Sequence, residues 1–237
     1  MIRQLWMLKH RLIWKQWCKY MIYIKKGKEP RSLTEYRSQI GATYEDFQNK
    51  DDIRDSLLRE QGHICAYCMR RIYKDSMKIE HWHAQHAEDG TGEDTALDYG
   101  NMLGVCDGYK SSPYKDQTCD THRGNTTIKV DPLSLESIAQ IAYRGDGTIY
   151  SDNAEIDKDL NETLNLNCEH AHLKENRAAA IRAFQKYCSK KNKYGTWEVS
   201  ELRKAKRHFE TEEEGKKKPY LGAILFFIDR YLKKAGG

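Results

Sequence analysis

Cys65-Ala66-Tyr67-Cys68, Lys78-Ile79-Glu80-His81-Trp82-His83, Asn101-Met102-Leu103-Gly104-Val105-Cys106 and Cys119-Asp120-Thr121-His122-Arg123-Gly124-Asn125 are the four blocks of one stretch, residues 61–130, in which helical periodicity gives way to Cys, His, Gly and Asp. Cys65 and Cys68 form a CxxC pair. Two thiolates at that spacing grip one tetrahedral Zn²⁺ from a tight knuckle, and Cys106 with Cys119 supplies the second pair. Four protein ligands leave no open coordination position, so this zinc reads as structural: it folds a segment too polar to build a core of its own. Asp107 to Thr118, between the last two cysteines, reads as a surface loop. The competing reading is four unligated thiols with a redox CxxC, but no βαβ pattern accompanies the motif. Cys18, Cys168 and Cys188 fall in segments read as helical and are expected to be ordinary buried thiols.

Outward from this stretch the chain reads as helical. Residues 1–24 carry Leu5, Leu8, Leu12, Ile13, Trp6, Trp14 and Trp17 between Lys and Arg, a basic amphipathic helix; Met21 is an alternative start. Residues 25–60 form a helical lead-in. In it, Ser32 is expected to cap a helix to Ile40, and a second helix from Asp51 to Glu60 stops at Gly62. In residues 131–237 a hairpin is expected from Ile138–Tyr143 and Thr148–Tyr150 around Arg144-Gly145-Asp146-Gly147. Helices follow near 156–165, 170–193, 197–213 and 220–234, with Lys216-Lys217-Lys218-Pro219 as a basic linker. The apolar run Leu221–Ile228 reads as a core helix. Glu88 to Asp94, acidic and Gly-rich, does not fit a calcium loop and reads as a flexible turn. The fold class is therefore α+β: a small zinc-stapled core in a mainly helical chain, the hairpin packed against that core.

Of the 237 residues, 32% are charged and 39% hydrophobic, with a formal net charge of +5. The mild basic excess fits a polyanionic partner without demanding one. Neither a secretory signal nor an apolar run of membrane-spanning length is visible, so a cytoplasmic location, with reduced thiols and no membrane, is expected.

The order acidic residue–His, then Asn before a Cys, then Cys and a basic residue resembles the HNH, or ββα-metal, nucleases. Their usual signature ends in Cys-His-x-x-Lys; here Asp120 stands after Cys119, His122 lies two residues later, and Arg123 falls at the basic position. The resemblance implies one catalytic Mg²⁺ (or Mn²⁺) held by Glu80 with Asp120 or His122, Asp120 favoured as the harder ligand. It implies His81 as general base, Asn101 orienting the His81 imidazole, and Arg123 contacting phosphate through paired donors. Glu80 and His81 are adjacent, and on a strand adjacent side chains point to opposite faces, so both serve one site only if the chain bends there. His83 and His86 read as solvated loop histidines.

A closer resemblance is carried by Met21-Ile22-Tyr23-Ile24-Lys25-Lys26 with Glu29-Pro30, Ile79-Glu80-His81, Asn101-Met102-Leu103, Gly124-Asn125, Asp131-Pro132, and Leu164-Asn165-Leu166-Asn167 before a helix with Arg177. These are similar to the PtuB-type nuclease subunit of Septu anti-phage systems, also found beside some retrons. That resemblance implies an ABC/SMC-like ATPase partner (PtuA-type), and extends to a retron reverse transcriptase with its nucleic acid. The chain has no Walker motif of its own. The functional expectation is an endonuclease subunit cleaving nucleic acid in defence, DNA favoured and RNA or tRNA open. The alternative is a catalytically degenerate, zinc-stabilised module that binds nucleic acid or regulates the ATPase, supported by Asp120 in place of His.

Overall fold

A computed structural model describes residues 20–86, 92, 95–189 and 197–236. Most of the expected N-terminal helix, Cys18 and most of the Glu88–Asp94 turn lie outside the described residues. Tyr20–Ile24, which the apolar pattern assigns to that helix, runs as an irregular segment, with Tyr20, Met21 and Ile24 buried. Tertiary bonds replace helical ones there: Ile24 N donates to Pro132 O at 2.9 Å and Tyr143 Oη donates to Tyr20 O at 2.8 Å. Gly222 makes the passage possible, since a Cβ there would lie 1.8 Å from Tyr20 O.

Helix α1 (Arg31–Arg37) begins after Pro30 with no side-chain cap; Ser32 instead donates to Asp52 Oδ2 at 2.6 Å. It ends before Ile40, which lies fully exposed in the following turn. Helix α2 (Lys50–Gln61) buries Ile53, Leu57 and Leu58 and stops at Gly62 as expected. Its last side chain reaches the central sheet, where the Gln61 amide donates to Gly104 O at 2.7 Å and accepts from Gly104 N at 2.7 Å.

Strands β1 (Met77–His81) and β2 (Met102–Cys106) pair antiparallel, with Glu80 opposite Leu103 and His81 opposite Met102. The short helix α3 (Cys119–Arg123) completes a strand–strand–helix unit. The pairing holds through His81 without a bulge, and the bend falls just after it, at Trp82–His83.

Helix α4 (Leu135–Ile138) takes Ile138 out of the expected strand, because Ser134 caps a helical turn there by accepting from Ser137 N. Strands β3 (Ile141–Tyr143) and β4 (Ile149–Ser151) form the hairpin. Helix α5 (Ala154–Lys158), capped by Asn153, runs into a π-helical turn Asp159–Thr163. Helices α6 (Leu173–Cys188), α7 (Val199–Glu210) and α8 (Leu221–Lys234) pack on one another through Phe184, Trp197, Phe209 and Tyr231. Cys168 lies before α6 and outside any helix, its thiol directed at Asp116 O.

The hairpin packs on the irregular N-terminal segment and on α8, where the Tyr143 ring meets Phe226 at 5.8 Å. One cluster of buried apolar residues runs from Tyr20 to Ile228 and joins the ββα unit, the hairpin and the terminal helices. Leu221–Ile228 belongs to that core. No helix among the described residues is long and apolar enough to cross a membrane.

Candidate functional site

Cys65, Cys68, Cys106 and Cys119 converge as expected, all buried and free of disulfides. Their sulfurs lie 3.9 Å (Cys65–Cys119), 3.8 Å (Cys68–Cys106) and 3.7 Å (Cys106–Cys119) apart. A tetrahedral ion with metal–sulfur bonds near ~2.3 Å needs sulfur–sulfur edges of about 3.8 Å. The four cysteines could therefore hold a metal such as zinc.

Local backbone builds the cradle. Cys65 N donates to Arg70 O at 2.9 Å, Met69 N donates to Cys65 O at 3.0 Å, and Met69 adopts φ +60°, closing the CxxC knuckle. Cys106 ends β2 and Cys119 begins α3. The loop between them closes through Thr118 N donating to Gly108 O at 3.0 Å. Gly108 has φ +63°, and a Cβ there would lie 2.3 Å from Thr118 O, so the closure requires glycine. Burial opposes charge on Cys68, but hydrogen bonds from the other three thiols and the charge of Arg70 together hold it well below the ordinary thiol range.

The second constellation lies on the same ββα unit. Glu80, on β1, accepts from Tyr67 Oη at 3.0 Å and pairs with the Arg123 guanidinium. Asp120, on α3, pairs with Lys78 and lies near Glu80. Burial, with the Asp120 hydrogen bond and charge, pushes Glu80 well above the usual carboxyl range. Asp120 is half-buried, but the neighbouring Glu80 carboxyl, Lys78 and Arg123 outweigh burial and hold it below that range. Each carboxylate thus opposes the other's charge, which Arg123 and Lys78 offset.

His81 is buried, its Nε2 2.9 Å from Ala96 O and its ring edge-to-face with Tyr44 at 4.6 Å. A carbonyl oxygen only accepts, so Nε2 carries the proton and Nδ1 keeps its lone pair. Burial lowers the imidazole's proton affinity below that of a free histidine. Asn101 does not touch this ring, contrary to expectation. Its Oδ1 accepts from His83 N at 2.7 Å, and its Nδ2 donates to His83 O at 3.0 Å and toward the Thr95 carbonyl and hydroxyl. It braces the strand exit and the turn that presents Ala96 O, and so positions His81 at one remove.

Arg123 also departs from expectation. It is 3% exposed, and its donors go to Glu80, Tyr67 Oη, Trp82 O and Thr126 O. It orients Glu80 and ties β1 to α3, with no donor pair turned to solvent for a phosphate. His122 turns away from the carboxylates: Nδ1 lies 2.9 Å from Thr163 O and the ring stacks on Tyr114 at 4.1 Å. Among the described residues the four cysteines are the one set of three or more Cys, His, Asp or Glu side chains gathered closely enough to share an ion, so His122 does not join Glu80 and Asp120. His86 is exposed, as expected.

Sequence reasoning missed Lys78, Tyr67 and the Ala96 carbonyl. Lys78 was within reach, two residues before Glu80 on a strand and hence on the same face. Tyr67 sits inside the CxxC motif without any signal of its own, and a backbone carbonyl leaves no mark in a sequence.

No family model matches the chain, and no curated protein matches it.

Proposed function

We propose that the chain is a metal-dependent endonuclease of the HNH type that hydrolyses phosphodiester bonds in nucleic acid. The observation that carries this reading is His81: a buried imidazole with Nε2–H held by Ala96 O and Nδ1 left as a lone-pair acceptor, next to Glu80 on β1 and on the same ββα unit as Asp120. In this role His81 Nδ1 takes the proton of the attacking water while the Ala96 carbonyl stabilises the imidazolium that results. Asn101 holds the turn that presents that carbonyl, and Arg123 with Tyr67 fixes the rotamer of Glu80.

Glu80 and Asp120 fit a divalent cation, since two neighbouring carboxylates offer it hard oxygen donors. Bound there, Mg²⁺ or Mn²⁺ would neutralise charge on the phosphate and the departing oxygen. Of the two ligands left open by the sequence, Asp120 is the one the geometry favours. Zinc on the four cysteines would be structural, with no coordination position left for substrate.

The resemblance to Septu nuclease subunits supports a defence role beside an ABC/SMC-like ATPase, with a retron as a further setting. Double-stranded DNA is the first substrate to test and RNA, including tRNA, the second. One observation favours the competing reading, a binding or ATPase-regulating module: both carboxylates are already paired with internal cations, Arg123 and Lys78.

The deciding experiment incubates plasmid DNA and total RNA in Mg²⁺ with the zinc-loaded chain, with and without the ATPase, comparing wild type and His81→Ala. Cleavage lost only in the variant supports the nuclease reading and names the substrate. No cleavage by wild type with the partner present moves the reading to the binding module.

A further inference from the structure

Arg177 is 1% exposed and is, among the described residues, the largest side chain buried to that degree. Its Nε donates to Gly147 O at 2.6 Å, and its Nη2 donates to Leu166 O at 2.9 Å and Asn167 Oδ1 at 2.7 Å. All three acceptors are neutral, and none of the ion pairs among the described residues includes it. Arg70, half-buried, is likewise without a carboxylate: it donates to Ala171 O at 3.0 Å and lies over the Tyr109 ring at 4.8 Å. A buried guanidinium with no opposite charge costs several kcal/mol, so a fold that keeps one holds a counter-charge elsewhere.

The four-cysteine centre is the neighbouring source of negative charge. Cys119 N donates to Leu164 O at 2.8 Å, two residues before the Leu166 carbonyl that Arg177 grips. Asn165, between them, donates to Lys115 O and Gln117 O in the Cys106–Cys119 loop. Asn167 accepts from Ile149 N and donates to Ile149 O, as a neighbouring strand would. Leu164-Asn165-Leu166-Asn167 is thus a strap with the metal loop on one side and Arg177 and the β3–β4 hairpin on the other. Arg70 follows Cys68 by two residues and reaches Ala171 O, two residues before α6 begins. Burial weakens the hold of both guanidiniums on their protons; at Arg70 the sulfurs of Cys68 and Cys106 outweigh it, whereas at Arg177 burial prevails over Tyr143 and the sulfurs of Cys68 and Cys119.

We propose that Arg70 and Arg177 are the counter-charges of a metal tetrathiolate, positioning residues that act through the cysteines. A divalent ion on four thiolates carries two net negative charges, and two guanidiniums balance them. The coupling is reciprocal: whatever Arg177 adds to metal affinity, the metal adds to the stability of the fold that buries Arg177. Metal loading thereby reaches α6 and the hairpin, outside the ββα unit, through charge and through the strap. This inference rests on the cysteines as a metal centre and is independent of nuclease activity.

The test is zinc affinity, measured on the full chain by competition with a chromogenic chelator, for wild type, Arg177→Met, Arg177→Lys and Arg70→Met. Arg177→Met is expected to weaken zinc on the order of 10–100-fold, as loss of an outer-shell partner does. Arg70→Met should weaken it less, its guanidinium being half solvated. Arg177→Lys should recover most of the affinity, because it keeps the charge while losing the forked hydrogen bonds. Unchanged zinc affinity in both Met variants overturns the proposal, as does an Arg177→Lys protein that binds zinc as weakly as Arg177→Met. If Arg177→Met fails to fold, Arg70→Met and Arg177→Lys carry the comparison. A wild-type chain that binds no zinc removes the premise and the proposal together.

Discussion

Replacing Arg123 with Met separates an internal ion pair from a phosphate-binding arginine. The substitution keeps much of the volume and removes the pairing with Glu80, the bond to Tyr67 Oη at 3.2 Å, and those to Trp82 O at 2.6 Å and Thr126 O at 2.8 Å. The side chains of Arg123 and Glu80 are 1% and 6% exposed, so solvent does not take over the lost partner. Breaking one side of a buried pair costs about 3–5 kcal/mol. For a chain of this size each kcal/mol moves the midpoint by ~2–4 °C, so the thermal midpoint should fall by roughly 6–20 °C. The assay is thermal and urea unfolding of the zinc-loaded protein in magnesium-free buffer. Glu80→Gln in the Arg123→Met background should recover part of the loss, because the double variant no longer strands a buried charge. A loss below about 1 kcal/mol for Arg123→Met would refute the reasoning, since a buried pair cannot be broken so cheaply. It would return Arg123 to the solvent-facing role its sequence position suggests.

The remaining predictions concern the proposed base, its support and the loop between Cys106 and Cys119. His81→Ala should lower cleavage by ~10²–10⁴-fold while leaving zinc content unchanged; measured turnover within a few-fold of wild type would remove His81 as the base. Asn101→Ala loses the paired bonds to the His83 backbone, at ~1–3 kcal/mol, so kcat should fall by about 5- to 150-fold with KM nearly constant; a change confined to KM would assign Asn101 to substrate binding. Gly108→Ala places a Cβ 2.3 Å from Thr118 O at φ +63°, so zinc content per chain should drop; full zinc occupancy with an unchanged midpoint would contradict that geometry.

Local chemistry explains why some features were legible in the sequence. Four thiols at CxxC and strand-end positions announce a metal knuckle wherever the chain can bring them together, and here it does. Gly62 ends α2 because a left-handed residue follows the helix, and Leu221–Ile228 is apolar because α8 lies in the core. The same logic failed at Tyr20–Ile24. An apolar run beside a helical pattern looks helical, but the groove between Pro132, Tyr143 and Gly222 offers that segment tertiary hydrogen bonds instead. It failed again at Ile138, where one serine hydroxyl turned the start of an expected strand into a helical turn.

Residue type and spacing by themselves determined which groups could do chemistry in this protein: four thiols, two adjacent acid and imidazole side chains, a second carboxylate after Cys119, and a mixed α and β scaffold. Tertiary structure decided what each group faces. It turned Arg123 inward onto Glu80, His122 onto Thr163 and Asn101 onto the His83 backbone. It also left Arg177 buried against the Leu166 carbonyl of the strap that adjoins Cys119, with no carboxylate partner. Spacing along a chain limits which atoms can meet, but a donor's partner is set by direction and burial, and these arise only once distant segments have packed.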